Sequence, residues 1–361
     1  MDVLRPGTGS SISSPEECPQ ILLMGLRTSG KSSICEVVFN NMKPLEALYI
    51  ESTTHPTSRE ILNASSLFRF YITEIPGQMS VTEESDLDVI RYLQNTGALI
   101  YVIDCQSEYL GALQNLVAII HQALSVNPLI NIEVLIHKVD GLTYEFRYET
   151  RRDIIQRIQA ELEELGLKNA QITFYLTSIY DRSIHDALSR IVQRLIAETP
   201  TLESILNNLC SSSGVEKAFL MDVKTKIYIA TDSSPVDPQT YELCSDFIDV
   251  TLRIDELYKT REDRKTVERR MRALRRVAAG NNDSTAQDDD EQSVQQQEQP
   301  VPLKTMSKMQ NGIALYLSQM VKGLALVGFI RTETVEKTAV LDYNAEIVSE
   351  ALKKMWPHSE E

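Results

Sequence analysis

Between residues 20 and 197, short apolar runs alternate with stretches of helical periodicity, and that alternation leaves few folds open. The runs are ILLMG (21–25), FRFYI (68–72), ALIYVID (98–104), IEVLIH (132–137) and ITFYL (172–176). They read as buried strands. Between them Leu110, Leu113, Val117, Ile120 and Leu124 recur at three- and four-residue steps. Ile154, Ile158, Leu162 and Leu165 do the same, with Gly166 placed as a C-cap. Strands separated by helical segments predict an α/β domain, a mostly parallel sheet with flanking helices.

The pattern changes after Pro200. Residues 201–210 read as a helix, KAFLMDV (217–223) and KIYIATD (226–232) as a hairpin, and 239–258 as a helix through Leu243, Phe247, Val250 and Ile254. GIALYLSQM and LALVGFIR flank Lys322–Gly323 as two further strands, before a last amphipathic helix over about 342–355. Neighbouring strands without crossover helices predict a second, antiparallel α/β domain. The expected organisation is a flexible Ser/Pro/Gly-rich tail (1–19), a first domain (20–199), and a second domain (200–356) carrying a disordered insert at about 259–302. That insert opens on a basic segment, KTREDRKTVERRMRALRR, readable as a short basic helix or as part of a solvated insert, and passes to NNDSTAQDDDEQSVQQQEQP, too poor in apolar residues to repay the entropy of ordering.

Charge and composition exclude several functions. With 36 basic against 51 acidic residues, a net of −15, the chain lacks the basic face of a general nucleic-acid binder. Five Cys without CxxC spacing or clustered His read as reduced thiols of a cytosolic protein. Position 2 is Asp2 where myristoylation needs glycine, and neither a secretory h-region nor a prenylation Cys is evident. The apolar stretch 312–330 is broken by Gln319, Lys322 and Gly323. No direct membrane anchor is expected; any membrane address comes through a partner.

Chemistry concentrates in four places. GLRTSGKSS (25–33) fits G-x-x-x-x-G-K-[ST] between a strand and a helical run. Its amides across Arg27, Thr28, Ser29, Gly30, Lys31 and Ser32, with Ser33 beside them, are placed to wrap a phosphate chain at a helix N-terminus. Lys31 is expected on the β- and γ-phosphates and Ser32 on Mg²⁺. HKVD (137–140) selects the base, because the Asp140 carboxylate matches the N1–H and 2-amino donors of guanine. Lys138 would cover the ring with its stem, and His137 keeps a donor and an acceptor where Asn is more usual. YLTSIY (175–180) offers Thr177, Ser178 and Ile179 near guanine O6. In TEIPGQ (73–78), Gly77 would donate its N–H to a γ-phosphate and Gln78 would orient a water. Glu74 stands where a related chain has Asp. Thr53 of IESTTHPTSRE (50–60), with Thr54 as the neighbouring alternative, would present a second hydroxyl to Mg²⁺. The ligands implied are GTP/GDP and Mg²⁺. No Arg closely precedes Thr53 to serve as a built-in arginine finger, so unassisted hydrolysis is expected at about 10⁻⁴ per second.

Taken together, ILLMGLRTSGKSSI, YIEST, PGQM, TGALIYVID, VLIHKVDG, FYLTSIYD, EKAFLMDV and KIYIATDSSPVD resemble the Rag GTPases, in particular the RagC/RagD-type subunit and its fungal counterparts. The resemblance covers about 20–258 and resumes at 305–355. It implies a Ras-like P-loop GTPase domain followed by a roadblock-type domain, with His137 an ordinary variant within a guanine site. It further implies a heterodimer with a RagA/RagB-type subunit, a Ragulator/EGO-type membrane scaffold and a GTPase-activating protein. The output it implies is amino-acid sufficiency relayed to the target-of-rapamycin kinase complex at the cytoplasmic face of the lysosome or vacuole, with the GDP form signalling-competent when paired with a GTP-loaded partner. Two other readings stand beside it: a nucleotide-stabilised scaffold with negligible hydrolysis, and a monomeric Ras- or Arf-like trafficking GTPase.

Overall fold

The computed structural model describes residues 19–62, 69–77, 86–167, 170–278, 303–309, 312–321, 323–332, 335 and 338–356. The expectations for the tail, for Gln78 and for 279–302 lie outside these residues. The first sheet has six strands: β1 (Gln20–Met24), β2 (Thr57–Leu62), β3 (Arg69–Glu74), β4 (Thr96–Asp104), β5 (Asn131–His137) and β6 (Ile172–Thr177). Their order is β2-β3-β1-β4-β5-β6, parallel throughout except for β2 against β3.

The apolar runs are apolar because both faces of the sheet are covered. Ile21 and Leu23 of β1 join Ile100 and Val102 of β4 in one core, under α1 (Lys31–Phe39) and α5 (Ser183–Leu195). Leu22, Leu99, Tyr101 and Ile103 point the other way, beneath α2 (Asp86–Gln94), α3 (Leu110–Val126) and α4 (Tyr144–Glu164). Successive residues of a strand face opposite sides, so each run supplies two cores at once. Parallel pairing carries all five expected strands in the same direction, and their carboxyl ends line up along one rim. That rim positions the site.

The second sheet is antiparallel, ordered β8-β7-β11-β10-β9, from β7 (Val215–Asp222), β8 (Tyr228–Thr231), β9 (Lys304–Lys308), β10 (Ile313–Val321) and β11 (Leu324–Arg331). Helices α6 (Thr199–Ser213) and α8 (Thr338–Met355) cover one face. Tyr241, Cys244 and Ile248 of α7 (Pro238–Ala278) cover the other. One expectation needs correcting here. The helix does not stop near 258: its backbone runs 41 residues to Ala278, through the basic half of the segment expected to be disordered. Long runs of Lys, Arg, Glu and Ala-type residues favour a helix locally, even without an apolar sequence pattern.

The two sheets are joined by more than their linker. The β7–β8 turn inserts Ile227, 4% exposed, into the core formed by α1 and α5. Beside it the Tyr228 amide donates to Ser189 Oγ (3.0 Å) and the Tyr228 hydroxyl to Asp186 (2.5 Å), both on α5. Truncating a buried Ile leaves a cavity, so Ile227→Ala is expected to cost about 2–4 kcal/mol. Urea unfolding followed by far-UV circular dichroism should show that loss, with both sheets affected in one transition. Among the described residues, Cys35, Cys105, Cys210 and Cys244 are free thiols. No described helix is long and apolar enough to cross a membrane.

Candidate functional site

The carboxyl ends of β1, β3, β4, β5 and β6 surround a cavity of about 430 Å³. Its floor is the turn between β1 and α1. Three residues there take positive φ: Gly25 (142°), Thr28 (64°) and Gly30 (105°). At Gly25 a Cβ would lie 2.4 Å from the Val102 carbonyl oxygen, so only glycine lets the turn pass over β4. At Gly30 it would meet the His137 ring at 2.8 Å. The loop that results wraps the cavity floor and ends at the N-terminus of α1, a place suited to phosphate.

Lys31 is 5% exposed, and its ammonium donates to the carbonyls of Gly25 (2.8 Å) and Leu26 (3.0 Å). Burial pulls its pKa below the ordinary lysine value, opposed by the nearby Glu74 carboxylate. The phosphate loop thus holds a buried cation on its own carbonyls, ready to be turned to an anion.

The far wall is made by HKVD and YLTSIY, brought together by the β5–β6 pairing that sets His137 opposite Thr177. Asp140 faces the cavity, and its Oδ1 accepts from the Ser178 hydroxyl at 2.5 Å. Ser178 is itself fixed, accepting from the Tyr180 amide at 3.1 Å while its own amide donates to Ser183 Oγ at 2.9 Å. Lys138 adopts a left-handed conformation (φ 63°), which lets its side chain return across the loop to Asp104 (2.6 Å) and the Thr28 carbonyl (2.8 Å). Its stem therefore spans the cavity from the base wall to the phosphate floor.

The expected contact residues differ in how far their side chains are buried. His137 is 1% exposed, with Nδ1 3.0 Å from Thr177 Oγ1 and its ring edge against Gly30. Burial, with a smaller contribution from Lys138, pushes its pKa down to about 4, so it is a neutral brace between β5, β6 and the phosphate loop. Thr177 and Ser178 are fully buried and hold His137 and Asp140 rather than lining the cavity themselves. Ser29 is likewise buried beneath the loop. Arg27, Thr28, Gly30, Lys31, Ser32, Ser33, Lys138, Asp140 and Ile179 line the cavity, and so does the exposed edge of His137.

The third wall brings Thr53 and Glu74 to Ser32. Ser32 Oγ and Thr53 Oγ1 are 2.9 Å apart, and both hydroxyls donate to Glu74 Oε1, at 2.5 and 3.1 Å. Of the two candidate threonines, Thr53 is in the site and Thr54 is exposed. Hydroxyl and carboxylate oxygens are hard donors, and the set fits Mg²⁺. Gly77 closes the wall against the loop: a Cβ there would sit 2.2 Å from the Arg27 nitrogen.

Two residues escaped the sequence reading. Asp104, at the end of β4, anchors Lys138, and Gln106 donates to the Lys138 carbonyl at 2.7 Å. The signal available for both was their place just at or beyond the carboxyl end of a central parallel strand, where ligands of such sheets bind.

Comparison with known proteins shows the family. The Gtr1/RagA G protein conserved region matches residues 20–248. "GTP-binding protein GTR2" of Saccharomyces cerevisiae is 46% identical over 355 residues, 97% of this chain and 96% of that protein. The chain belongs to the Gtr/Rag family of G proteins. Within the Gtr/Rag family its side is also decided. "Ras-related GTP-binding protein C" of Homo sapiens is 44% identical over 94% of this chain and 77% of its own length. "GTP-binding protein gtr1" of Schizosaccharomyces pombe is 30% identical over only 61% of this chain and 70% of its own. The chain is a Rag-type GTP-binding subunit of the RagC/RagD kind, with a Ras-like P-loop domain and a roadblock-type antiparallel domain.

Proposed function

We propose that this Gtr/Rag protein is the GTP/GDP switch subunit of a heterodimer with a RagA/RagB-type partner. In this reading it relays amino-acid sufficiency to the target-of-rapamycin kinase complex at the lysosomal or vacuolar surface. Hydrolysis is slow and assisted by an activating protein. The observation that carries the switch is the seating of Asp140 by Ser178 on one wall, with Lys31 in the phosphate loop opposite and the Ser32–Thr53–Glu74 oxygens between. Thr53 belongs to a segment whose hold on the site runs through that oxygen cluster. Loss of a γ-phosphate removes its reason to stay, which is how such loops report nucleotide state.

Partnering is supported by the second domain. Val340, Tyr343 and Ile347 of α8 are 48%, 65% and 48% exposed and share one helical face. Val250, Ile254 and Leu257 form a comparable stripe on α7. Apolar stripes of this kind suit a companion subunit, and a Ragulator/EGO-type scaffold would supply the membrane address. The hydrophobic faces favour this reading over a monomeric trafficking GTPase.

The test is co-expression with a RagA/RagB-type subunit, sedimentation of the purified pair and identification of the extracted nucleotide. A one-to-one complex carrying guanine nucleotide is expected. A strictly monomeric protein, or bound adenine nucleotide, would overturn the proposal. Single-turnover GTP cleavage with an activating protein separates the switch from a scaffold, which would show no activated rate.

A further inference from the structure

Lys138 holds a left-handed backbone (φ 63°, ψ 34°), a conformation that disfavours any residue with a Cβ. The turn it opens does little to offset that. Inside the turn the Gly141 amide reaches the Lys138 carbonyl only at 3.4 Å, and the Leu142 amide donates to Val139 at 3.0 Å. Asp140, two residues on, owes its direction to this turn. Its placement therefore depends on contacts from outside the HKVD segment.

Those contacts come from one short stretch at the end of β4. Asp104 Oδ2 accepts from the Lys138 ammonium at 2.6 Å, while Oδ1 accepts from the Gln106 backbone amide at 2.9 Å and fixes that residue in an Asx turn. The Gln106 side-chain amide then donates to the Lys138 carbonyl at 2.7 Å. Lys138 is thus held at both ends, its ammonium by residue 104 and its carbonyl by residue 106. Gly141 supplies the space for this. A Cβ there would lie 2.2 Å from Gln106 Nε2 and 2.6 Å from Cδ. Gly141 is not among the glycines of positive φ, so it serves the side chain of Gln106 and not a left-handed backbone. Gln106 lines the nucleotide cavity, where an occupant shields its bond to Lys138 from water.

We propose that Gln106 is a positioning residue for base recognition, clamping the Lys138–Gly141 turn so that Asp140 meets two donors of the base at once. This rests on the guanine-nucleotide reading above and deepens it. Release of the Lys138 carbonyl leaves the ammonium anchored on Asp104 but frees the turn that carries Asp140. A carboxylate on a freed turn can still follow a single donor; alignment with N1–H and the 2-amino group together is what it loses. Ser178 differs in acting on the carboxylate alone, with the turn left in place. Gly141 belongs to the same device, since any side chain there displaces Gln106.

The experiment compares GDP with inosine diphosphate, which lacks the 2-amino donor, as competitors on the full chain. Gln106→Ala should weaken GDP about fivefold and inosine diphosphate about twofold. Gln106→Glu, of the same size but without the donor, should narrow the preference at least as much. Gly141→Ala should match Gln106→Ala, and the double variant should lose about fivefold again, not about twenty-five-fold, because both changes remove one contact. Gln106 and Gly141 are both exposed, so the variants leave the core untouched. A preference equal to the wild type's in the single variants, or losses that multiply in the double variant, would overturn the assignment while leaving the guanine site intact. A wild type that does not prefer GDP to ADP would overturn the guanine reading and this assignment with it.

Discussion

Asp140→Asn is expected to lower GDP affinity about 10³-fold and to make xanthosine diphosphate the better ligand. The carboxylate has lone pairs enough to keep the Ser178 hydroxyl at 2.5 Å and still accept from N1–H and the 2-amino group of guanine. An asparagine on the same backbone turns its NH₂ toward the 2-amino group, donor against donor. Xanthine carries a carbonyl at that carbon and meets the amide with an acceptor. Two hydrogen bonds to a charged group contribute roughly 4 kcal/mol together, which is the stated factor. Competition against a fluorescent guanine nucleotide, with GDP, XDP and ADP as competitors, reads all three affinities. Unchanged discrimination between GDP and ADP would remove Asp140 from the base site. Ser178→Ala acts only through the orientation of Asp140 and should cost about tenfold, with no change of base preference.

What the sequence made legible follows from how locally each feature is determined. The phosphate loop was readable because Gly25 and Gly30 occupy positions that no other residue tolerates, one against Val102 and one against His137. The strands of the first sheet were readable because burial on both faces forces continuous apolar runs. β2 and β9 were missed for the opposite reason. Each is an edge strand, TSREIL and KTMSK, held by pairing with β3 and β10 rather than by its own composition. The start of α4 was missed because its first turns carry exposed Tyr144, Phe146 and Tyr148, which give no buried periodicity.

The site was legible as chemistry and less so as geometry. Asp104 matters because the β4–β5 register sets it beside His137 and the turn after His137 sends Lys138 back to it. That relation spans 34 positions and leaves no local signature. Thr177, Ser178 and His137 were correctly gathered at one wall by their motifs. Motif spacing does not distinguish a side chain that touches a ligand from one that holds the toucher, because only burial does so. The family assignment narrows this further, since the RagC/RagD side is marked by agreement over nearly the whole chain, second domain included.

Acidification from pH 6.5 to 4 is expected to remove several kcal/mol of folding stability through two buried histidines. His137 is held down to about 4 and His185 to about 3, in both cases first by burial and then by nearby cations: Lys138 for the former, Arg182 and Lys226 for the latter. Asp104 and Asp140 oppose the shift at His137, as Asp249 does at His185, without cancelling it. Each folded pKa lies below the unfolded value of 6.5. The unfolded chain therefore takes up protons first as pH falls, and the stability present above 6.5 drains until the folded pKa is passed. The differences correspond to roughly 3 kcal/mol for His137 and roughly 5 kcal/mol for His185, the latter not complete until about pH 3. His185 sits where α5 meets the second domain, with Nδ1 unpartnered among the described residues and Arg182 bridging to Asp246 and Asp249 of α7. Urea midpoints measured across this pH range should fall steeply for the wild type and less steeply for His185→Leu, with GDP loss tracking the wild-type decline. Parallel pH profiles for the two proteins would show that the His185 imidazole is not the group being titrated.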